Sequence, residues 1–278
     1  MMGALAGHCY ILTGASGGLG RAMARGLLEA GASVVAGDLR PAPPAADWPA
    51  YGDRYRPVSL NVCDIADAQR AVDTALDDFG RIDGVINNAG IGQELVREDF
   101  ILNPPPFWTV QPELWRRIVE VNAIGPFNVA HAATPYMLRA GRGRIINVTT
   151  SLSTMLARGM APYAGSKAAA EAHSLIMSKD LEGTGITVNV LVPGGPVDTP
   201  MVPDANGFDR AALLQAEIMA LPLLWLLSAG ADHVTGRRFV AAHWNPDLEP
   251  AAAADLAGAP AAWPVPEFGA AIVPVGSG

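Results

Sequence analysis

Apolar positions along the chain fall into two rhythms. Short runs rich in apolar residues, with little alternation, recur at residues 8–12, 33–38, 55–60, 82–87, 144–149, 186–192 and 238–241. Between them lie longer stretches, Leu19 to Ala30 and about 66–79, 112–140, 162–182 and 210–228, whose apolar residues return at helical spacing. Strands buried on both faces read as near-continuous apolar runs, and strands alternating with helices build parallel sheets. The pattern therefore predicts an α/β fold: a single domain with a doubly wound, mostly parallel, seven-stranded sheet and helices on both faces.

After Ala242 the rhythm stops. Ala, Pro and Gly dominate, Asp247, Glu249, Asp255 and Glu267 are the only charges, and Lys and Arg are absent. This predicts a catalytic domain over 1–241 and a tail over 242–278 that is not an independent domain. Trp244, Trp263 and Phe268 are costly to leave in water, so they are expected to dock on the domain or a neighbouring subunit, with the alanine-rich stretch between them irregular or weakly helical. The apolar segment from Ile218 to Gly230 is shorter than a membrane span and contains Pro222. It reads as a buried helix.

With 278 residues the chain is long enough for one large α/β domain. Its net charge of −8, uncompensated by any basic stripe, disfavours nucleic acid and anionic membranes as partners. Cys9 and Cys63 have neither zinc-ligand nor disulfide spacing, so no metal is expected. The start of the chain lacks the basic region of a signal peptide, and a cytoplasmic location is expected.

Two local patterns carry chemistry. Gly14, Gly18 and Gly20, in Thr13-Gly14-Ala15-Ser16-Gly17-Gly18-Leu19-Gly20, follow the first strand and open a helix, whose N-terminal N–H groups and dipole suit a pyrophosphate. Asp38 ends the second strand, where a carboxylate accepts hydrogen bonds from ribose hydroxyls and repels a 2′-phosphate. Far downstream, Tyr163 and Lys167 stand four apart, on one face of a predicted helix. A free tyrosine is a poor base at neutral pH. Lowering its pKa by two to three units takes roughly 3–4 kcal/mol, which a nearby ammonium and a cationic nicotinamide ring could supply.

Together with Asn87-Asn88-Ala89-Gly90, Val121-Asn122-Ala123-Ile124-Gly125 and Pro193-Gly194 leading to Thr199, these motifs closely resemble the short-chain dehydrogenase/reductase family, in order and approximate spacing over residues 8–241. The resemblance implies a Rossmann fold and hydride transfer between a nicotinamide cofactor and the secondary alcohol or ketone of a small, apolar or mixed-polarity molecule. By position, Tyr163 looks like the general acid/base. Lys167 would hold the nicotinamide ribose and tune the tyrosine, and Asn122 would anchor a water in the proton relay. The cofactor would lie against Gly14, Ser16, Gly18, Leu19 and Gly20 in the turn, then Asp38, Asn61, Val62, Asn88, Ala89 and Gly90. Beyond Tyr163 and Lys167 it would meet Pro193, Gly194, Val197 and Thr199. Family members usually pair through the long helices, so a homodimer or homotetramer is expected.

Several positions depart from the family pattern. Thr150 stands where the substrate-orienting serine is common, and Ser151 is its rival for that role. Asn61 replaces a frequent aspartate facing the adenine. The segment Pro193-Gly194-Gly195-Pro196-Val197-Asp198-Thr199 is one residue longer than usual. A longer stretch from Gly90 to Asn122 carries Phe100, Ile101, Leu102, Phe107 and Trp108, suggesting an apolar lid or an assembly contact. Asp38 favours NAD. The alternatives are NADP, with Arg40 meeting its 2′-phosphate, and a catalytically silent dinucleotide-binding or interaction protein.

Overall fold

The computed structural model describes residues 3–44, 46, 48 and 51–263. Seven strands run parallel in the spatial order β3-β2-β1-β4-β5-β6-β7: β1 (Cys9–Thr13), β2 (Ser33–Asp38), β3 (Tyr55–Ser59), β4 (Gly84–Asn87), β5 (Gly143–Val148), β6 (Ile186–Val192) and β7 (Arg237–Val240). β1, β4, β5 and β6 are buried along their whole length, which is why they are not written as alternating apolar and polar residues. The order reverses at β1: the chain builds β2 and β3 on one side, then returns to lay β4 on the other. Loops leaving β1 and β4 diverge at that point and open a crevice at the carboxyl edge of the sheet.

Helices cover both faces. Against one face, α1 (Gly18–Glu29) and α7 (Ala220–Leu227) bury Met23, Leu27, Leu223 and Leu226 on Tyr10, Leu12 and Ile146. Against the other, α2 (Ile65–Phe79) and α4 (Gly125–Ala140) bury Ala68, Val72, Val129 and Ala133 on Ile11, Val35, Val85 and Val188. The start of α2 is fixed by Asp64, whose carboxylate accepts from the Ala66 N–H, and its end by Gly80 at φ 70°.

The continuous helix expected over 112–140 is instead α3 (Pro112–Val119), a π-helical turn (Glu120–Ile124) and α4. Pro126 accompanies the break: it has no N–H to offer the Asn122 carbonyl, so the regular hydrogen-bond ladder is interrupted there and α4 restarts with the proline in its first turn. The short α5 (Leu152–Met155) precedes α6 (Tyr163–Asp180). The helix expected over 210–228 shrinks to α7, preceded by 3₁₀ turns at Arg210–Ala212 and Ala216–Met219, because Leu214 between them bridges to Val197 in extended conformation.

Beyond residue 242 the seven-stranded expectation needs correction: among the described residues the sheet has eight strands. Helix α8 (Pro250–Ala257) buries Ala253, Ala254 and Ala257, and the chain then adds β8 (Gly258–Pro260) antiparallel to β7. Gly258-Ala259-Pro260 has no β-branched residue, so the pairing follows from the open edge of β7, not from local preference. Trp244 is 9 % exposed and lies 5.9 Å, centroid to centroid, from Trp225. Trp263 is half-buried, and Phe268 falls outside the described residues.

Deleting residues 250–278 strips cover from Phe239 and Trp244 and leaves the β7 edge unpaired. We expect the urea unfolding midpoint to fall, with a loss of about 2–4 kcal/mol. An unchanged midpoint would mean that α8 and β8 contribute nothing to the fold.

Candidate active site

The crevice is stitched shut at its base. The Thr13 hydroxyl accepts from the backbone N–H groups of Asn88 and Ala89, both at 3.0 Å, and the Asn88 Nδ2 donates to the carbonyls of Thr13 and Gly14, again at 3.0 Å. This brings the turn after β1 against the turn after β4 so closely that a Cβ on Gly14, which sits at φ +66°, would stand 2.8 Å from the Ala89 Cα. Glycine is required there by contact as well as by conformation. Asp38, at the end of β2, accepts from the Ser16 N–H at 3.1 Å and the Arg40 N–H at 3.3 Å. The Ser16 hydroxyl donates to the Arg40 carbonyl and accepts from the Ala42 N–H, tying the glycine turn to the loop after β2.

A cavity of about 560 Å³ runs from this cradle across the carboxyl ends of the strands. Gly14, Gly18, Leu19 and Asp38 line one end, Asn88, Ala89 and Gly90 the floor, and Thr150, Tyr163 and Lys167 the middle. Pro193, Gly194, Val197 and Thr199 form the opposite wall. Leu214 donates to Pro196 and accepts from Asp198, so the N–H of Val197 between them is turned away from that bridge. Ser16, Gly20, Asn61, Val62 and Asn122 do not line the cavity. Ser16 and Gly20 act inside the turn. The Asn61 side chain folds back to accept from the Cys63 N–H at 3.1 Å, and Val62 packs where Gly125 leaves room for it.

Tyr163 is the first residue of α6 and Lys167 lies one turn later. The Lys167 Nζ donates to the Val148 carbonyl at 2.9 Å. Burial dominates both groups: it pushes the Tyr163 phenol up to about 12, against a hydrogen bond with Thr150 that pulls the other way, and the nearby Glu94 carboxylate raises it further. Burial likewise brings the Lys167 ammonium down to about 8. Desolvation is thus the largest influence on the phenol, and it opposes the phenolate.

The residues around this pair are tightly held. Asn122, fully buried in the π-helical turn, accepts from the Ile91 N–H at 2.9 Å and donates to the Ile91 carbonyl at 2.8 Å and the Ser166 hydroxyl at 3.0 Å. It joins the loop after β4 to α6. Thr150 turns its hydroxyl to Tyr163, whereas Ser151 caps α5 by accepting from the Thr154 N–H and exchanging hydrogen bonds with the Ser153 and Thr154 hydroxyls.

Three supports lie outside the sequence expectations. Fully buried Glu171 accepts from the Thr149 hydroxyl at 2.7 Å, from Arg238 Nε at 3.0 Å and from the Ala262 N–H at 3.2 Å. Arg238 also donates to the Thr150 carbonyl at 3.0 Å, so the segment after β8 is wired to the residue beside the phenol. Asn206, 2 % exposed, donates to the Glu98 carbonyl and accepts from the Ile101 N–H, each at 2.8 Å. It clamps the long segment after β4 to the loop after β6. Phe100 from that long segment packs with Met160, Ala164 and Tyr163, while Leu102, Phe107 and Trp108 remain exposed.

This architecture coincides with known proteins. Residues 8–209 match the family model described as short chain dehydrogenase, and the chain belongs to that family. It is therefore an oxidoreductase of the short-chain dehydrogenase/reductase class with a Rossmann-type sheet. The 3-oxoacyl-(acyl-carrier-protein) reductase FabG of Vibrio harveyi is 30 % identical over 241 residues, covering 84 % of this chain and 94 % of the relative. The 1-deoxy-11-beta-hydroxypentalenate dehydrogenase of Streptomyces exfoliatus is 38 % identical over 198 residues, covering 69 % of this chain and 68 % of the relative. Among solved structures, the 3-ketoacyl-(acyl-carrier-protein) reductase of Brucella melitensis, complexed with NADH, superposes with a TM-score of 0.71 at 27 % identity, covering 83 % of this chain and 95 % of that one. No helix among the described residues is long and apolar enough to cross a membrane.

Lys167 provides a test of the burial that governs the site. Its pKa falls from 10.5 unfolded to about 8 folded, so between those values the unfolded chain binds more protons and stability rises with pH. Wild type is expected to gain up to about 3 kcal/mol from pH 7 to 10.5 relative to Lys167→Met, which has no such proton to lose. Parallel pH profiles in urea unfolding would show that the ammonium is not desolvated.

Proposed function

We propose that the protein transfers a hydride between NAD(H) and the hydroxyl/ketone pair of a small, largely apolar molecule, with Tyr163 as general acid/base. One juxtaposition carries this: a partly buried phenol, hydrogen-bonded to Thr150 and one turn from Lys167, faces the same cavity as the glycine cradle and Asp38. The residues fit a dinucleotide. The cradle admits backbone at Gly14 where no side chain would fit, the first N–H groups of α1 open beside it, and Asp38 keeps lone pairs for ribose hydroxyls. NADH in the Brucella relative supports a nicotinamide cofactor.

A bound nicotinamide supplies or accepts the hydride, and its oxidised ring is cationic. The protein's own residues handle the oxygen. Thr150 donates to the substrate oxygen and Tyr163 gives it a proton in reduction or removes one in oxidation. Lys167 orients the cofactor ribose and returns protons toward the phenol, and Asn122 holds the π-helical turn through which the relay reaches water. Ser151, committed to capping α5, leaves the oxygen to Thr150. Exposed Ile124, Phe127 and Leu138 along the π turn and α4, and Ile176 on α6, support assembly through those helices as a homodimer or homotetramer.

A panel of ketones and secondary alcohols, assayed with both cofactors, tests the activity. Failure to turn over any member with either cofactor would count for a silent binding protein. On an accepted substrate, Tyr163→Phe should abolish most turnover and leave cofactor binding nearly intact. Thr150→Ala should cost about 10²–10³ in turnover, as for the loss of one pre-positioned donor, and Ser151→Ala much less. The reverse ranking would assign the donor role to Ser151.

Cofactor choice rests on Asp38. A carboxylate there gains ribose hydrogen bonds and repels a 2′-phosphate, so titrations should give tighter binding of NADH than NADPH, and Asp38→Ala should erode the difference. Exposed Arg40, two residues on, favours the NADP reading. Equal or tighter NADPH binding by the unaltered protein would establish it.

A further inference from the structure

Past Thr150 and Tyr163 the cavity wall is mostly apolar, with Phe100, Met160, Met201 and Phe208. Gln93 and Glu94, which open the 3₁₀ turn at Gln93–Leu95, interrupt it. Gln93 is 1 % exposed, and its Nε2 donates to the carbonyls of Gly159 at 2.7 Å and Ala161 at 3.0 Å. That fixes the amide, because the reversed orientation would set its oxygen against two carbonyl oxygens. The Gln93 Oε1 is left as a buried acceptor without a partner. Glu94 is partly buried: Oε1 accepts from the Gly92 N–H at 3.2 Å, the carboxylate is also drawn to its own backbone N–H, and Oε2 is buried without a close partner. Among the described residues, these two are the only cavity-lining side chains with such an atom.

Among the described residues no cation pairs with Glu94. The charged groups that share its cavity are Asp38, beside the glycine cradle, and Lys167, whose ammonium is engaged by the Val148 carbonyl. Burial raises the Glu94 pKa, and its charge in turn raises that of Tyr163, so the carboxylate lies within electrostatic reach of the phenol. Two desolvated acceptors side by side are an unfavourable arrangement that a ligand relieves by donating hydrogen bonds, and that an anionic ligand makes worse.

We infer that Gln93 and Glu94 select substrates by their donors: resting on the ketone reduction proposed above, the preferred ketone has an apolar body bearing a hydroxyl or another hydrogen-bond donor on the side facing residues 93–94, and anionic ketones are excluded. The apolar wall holds the body. The two acceptors set its orientation and distinguish it from plain hydrocarbon ketones.

Three near-isosteric probes test this: 4-(hydroxymethyl)cyclohexanone, 4-ethylcyclohexanone and 4-oxocyclohexanecarboxylate. Each is titrated calorimetrically into the protein saturated with NAD⁺, which cannot reduce a ketone, so binding is read without turnover. Wild type should bind the hydroxymethyl ketone about tenfold more tightly than the ethyl ketone, the equivalent of one net hydrogen bond, and the carboxylate most weakly. Glu94→Leu should erase or invert the preference for hydroxymethyl over ethyl. The conservative Glu94→Gln should retain part of it while admitting the carboxylate, and an unchanged melting temperature for that variant shows that the fold is kept. The same order of affinities in wild type and both variants, or no binding of any probe, would overturn the inference. Absence of turnover with NADH across all three ketones, despite donor-selective binding, would instead sink the reductase proposal and leave the selectivity standing.

Discussion

Desolvation is the constraint on which the site depends. Lys167 is buried and Tyr163 is partly buried against Phe100, Met160 and Ala164, and desolvation moves both toward their neutral forms, the phenol up to about 12 and the ammonium down to about 8. At neutral pH the phenol therefore keeps its proton and the lysine is still mostly charged, so neither group is poised as a base on its own. Proton transfer then needs a partner whose charge offsets the burial, and a cationic nicotinamide ring is of that kind.

Holding two ionisable groups in that state requires a rigid surround, and the fold supplies it from distant parts of the chain. The order reversal at β1 and β4 opens the crevice, and the Thr13–Asn88 hydrogen bonds close its floor. Asn122 locks the π-helical turn to α6, and Glu171 with Arg238 braces Thr149 and Thr150 from behind. A buried ion pair of this kind is costly to assemble and costly to break, so its value here is positional. Through the Ala262 N–H the same carboxylate anchors the segment after β8, which makes the end of the described chain part of the support of the site.

The sheet, the glycine cradle and the Tyr163/Lys167 pair were legible in the sequence because each is a local pattern: an unbroken apolar run, a turn that only glycine fits, a spacing of one helical turn. What was not legible depends on partners far away. Glu171 meets Arg238 across 67 residues, and Asn206 meets Glu98 across 108. Nothing in Gly258-Ala259-Pro260 announces a strand, since only the exposed edge of β7 makes it one. Nothing local singles out Gln93, which is buried because its amide meets the carbonyls of Gly159 and Ala161, 66 and 68 residues further on. Spacing put Thr150 ahead of Ser151 for the role beside the phenol, but that Ser151 serves as the cap of α5 depends on a short helix the sequence pattern did not announce.

The balance between burial and cofactor charge can be read from the phenol itself. Phenolate absorbance is titrated in wild type and in Tyr163→Phe, with and without saturating NAD⁺, and the difference isolates Tyr163. We expect no ionisation of Tyr163 below about pH 10 in the absence of NAD⁺, given a pKa raised to about 12, and a step displaced downward into the neutral to mildly alkaline range when NAD⁺ is bound. A Tyr163 titration that occurs at the same pH with and without NAD⁺ would contradict the account.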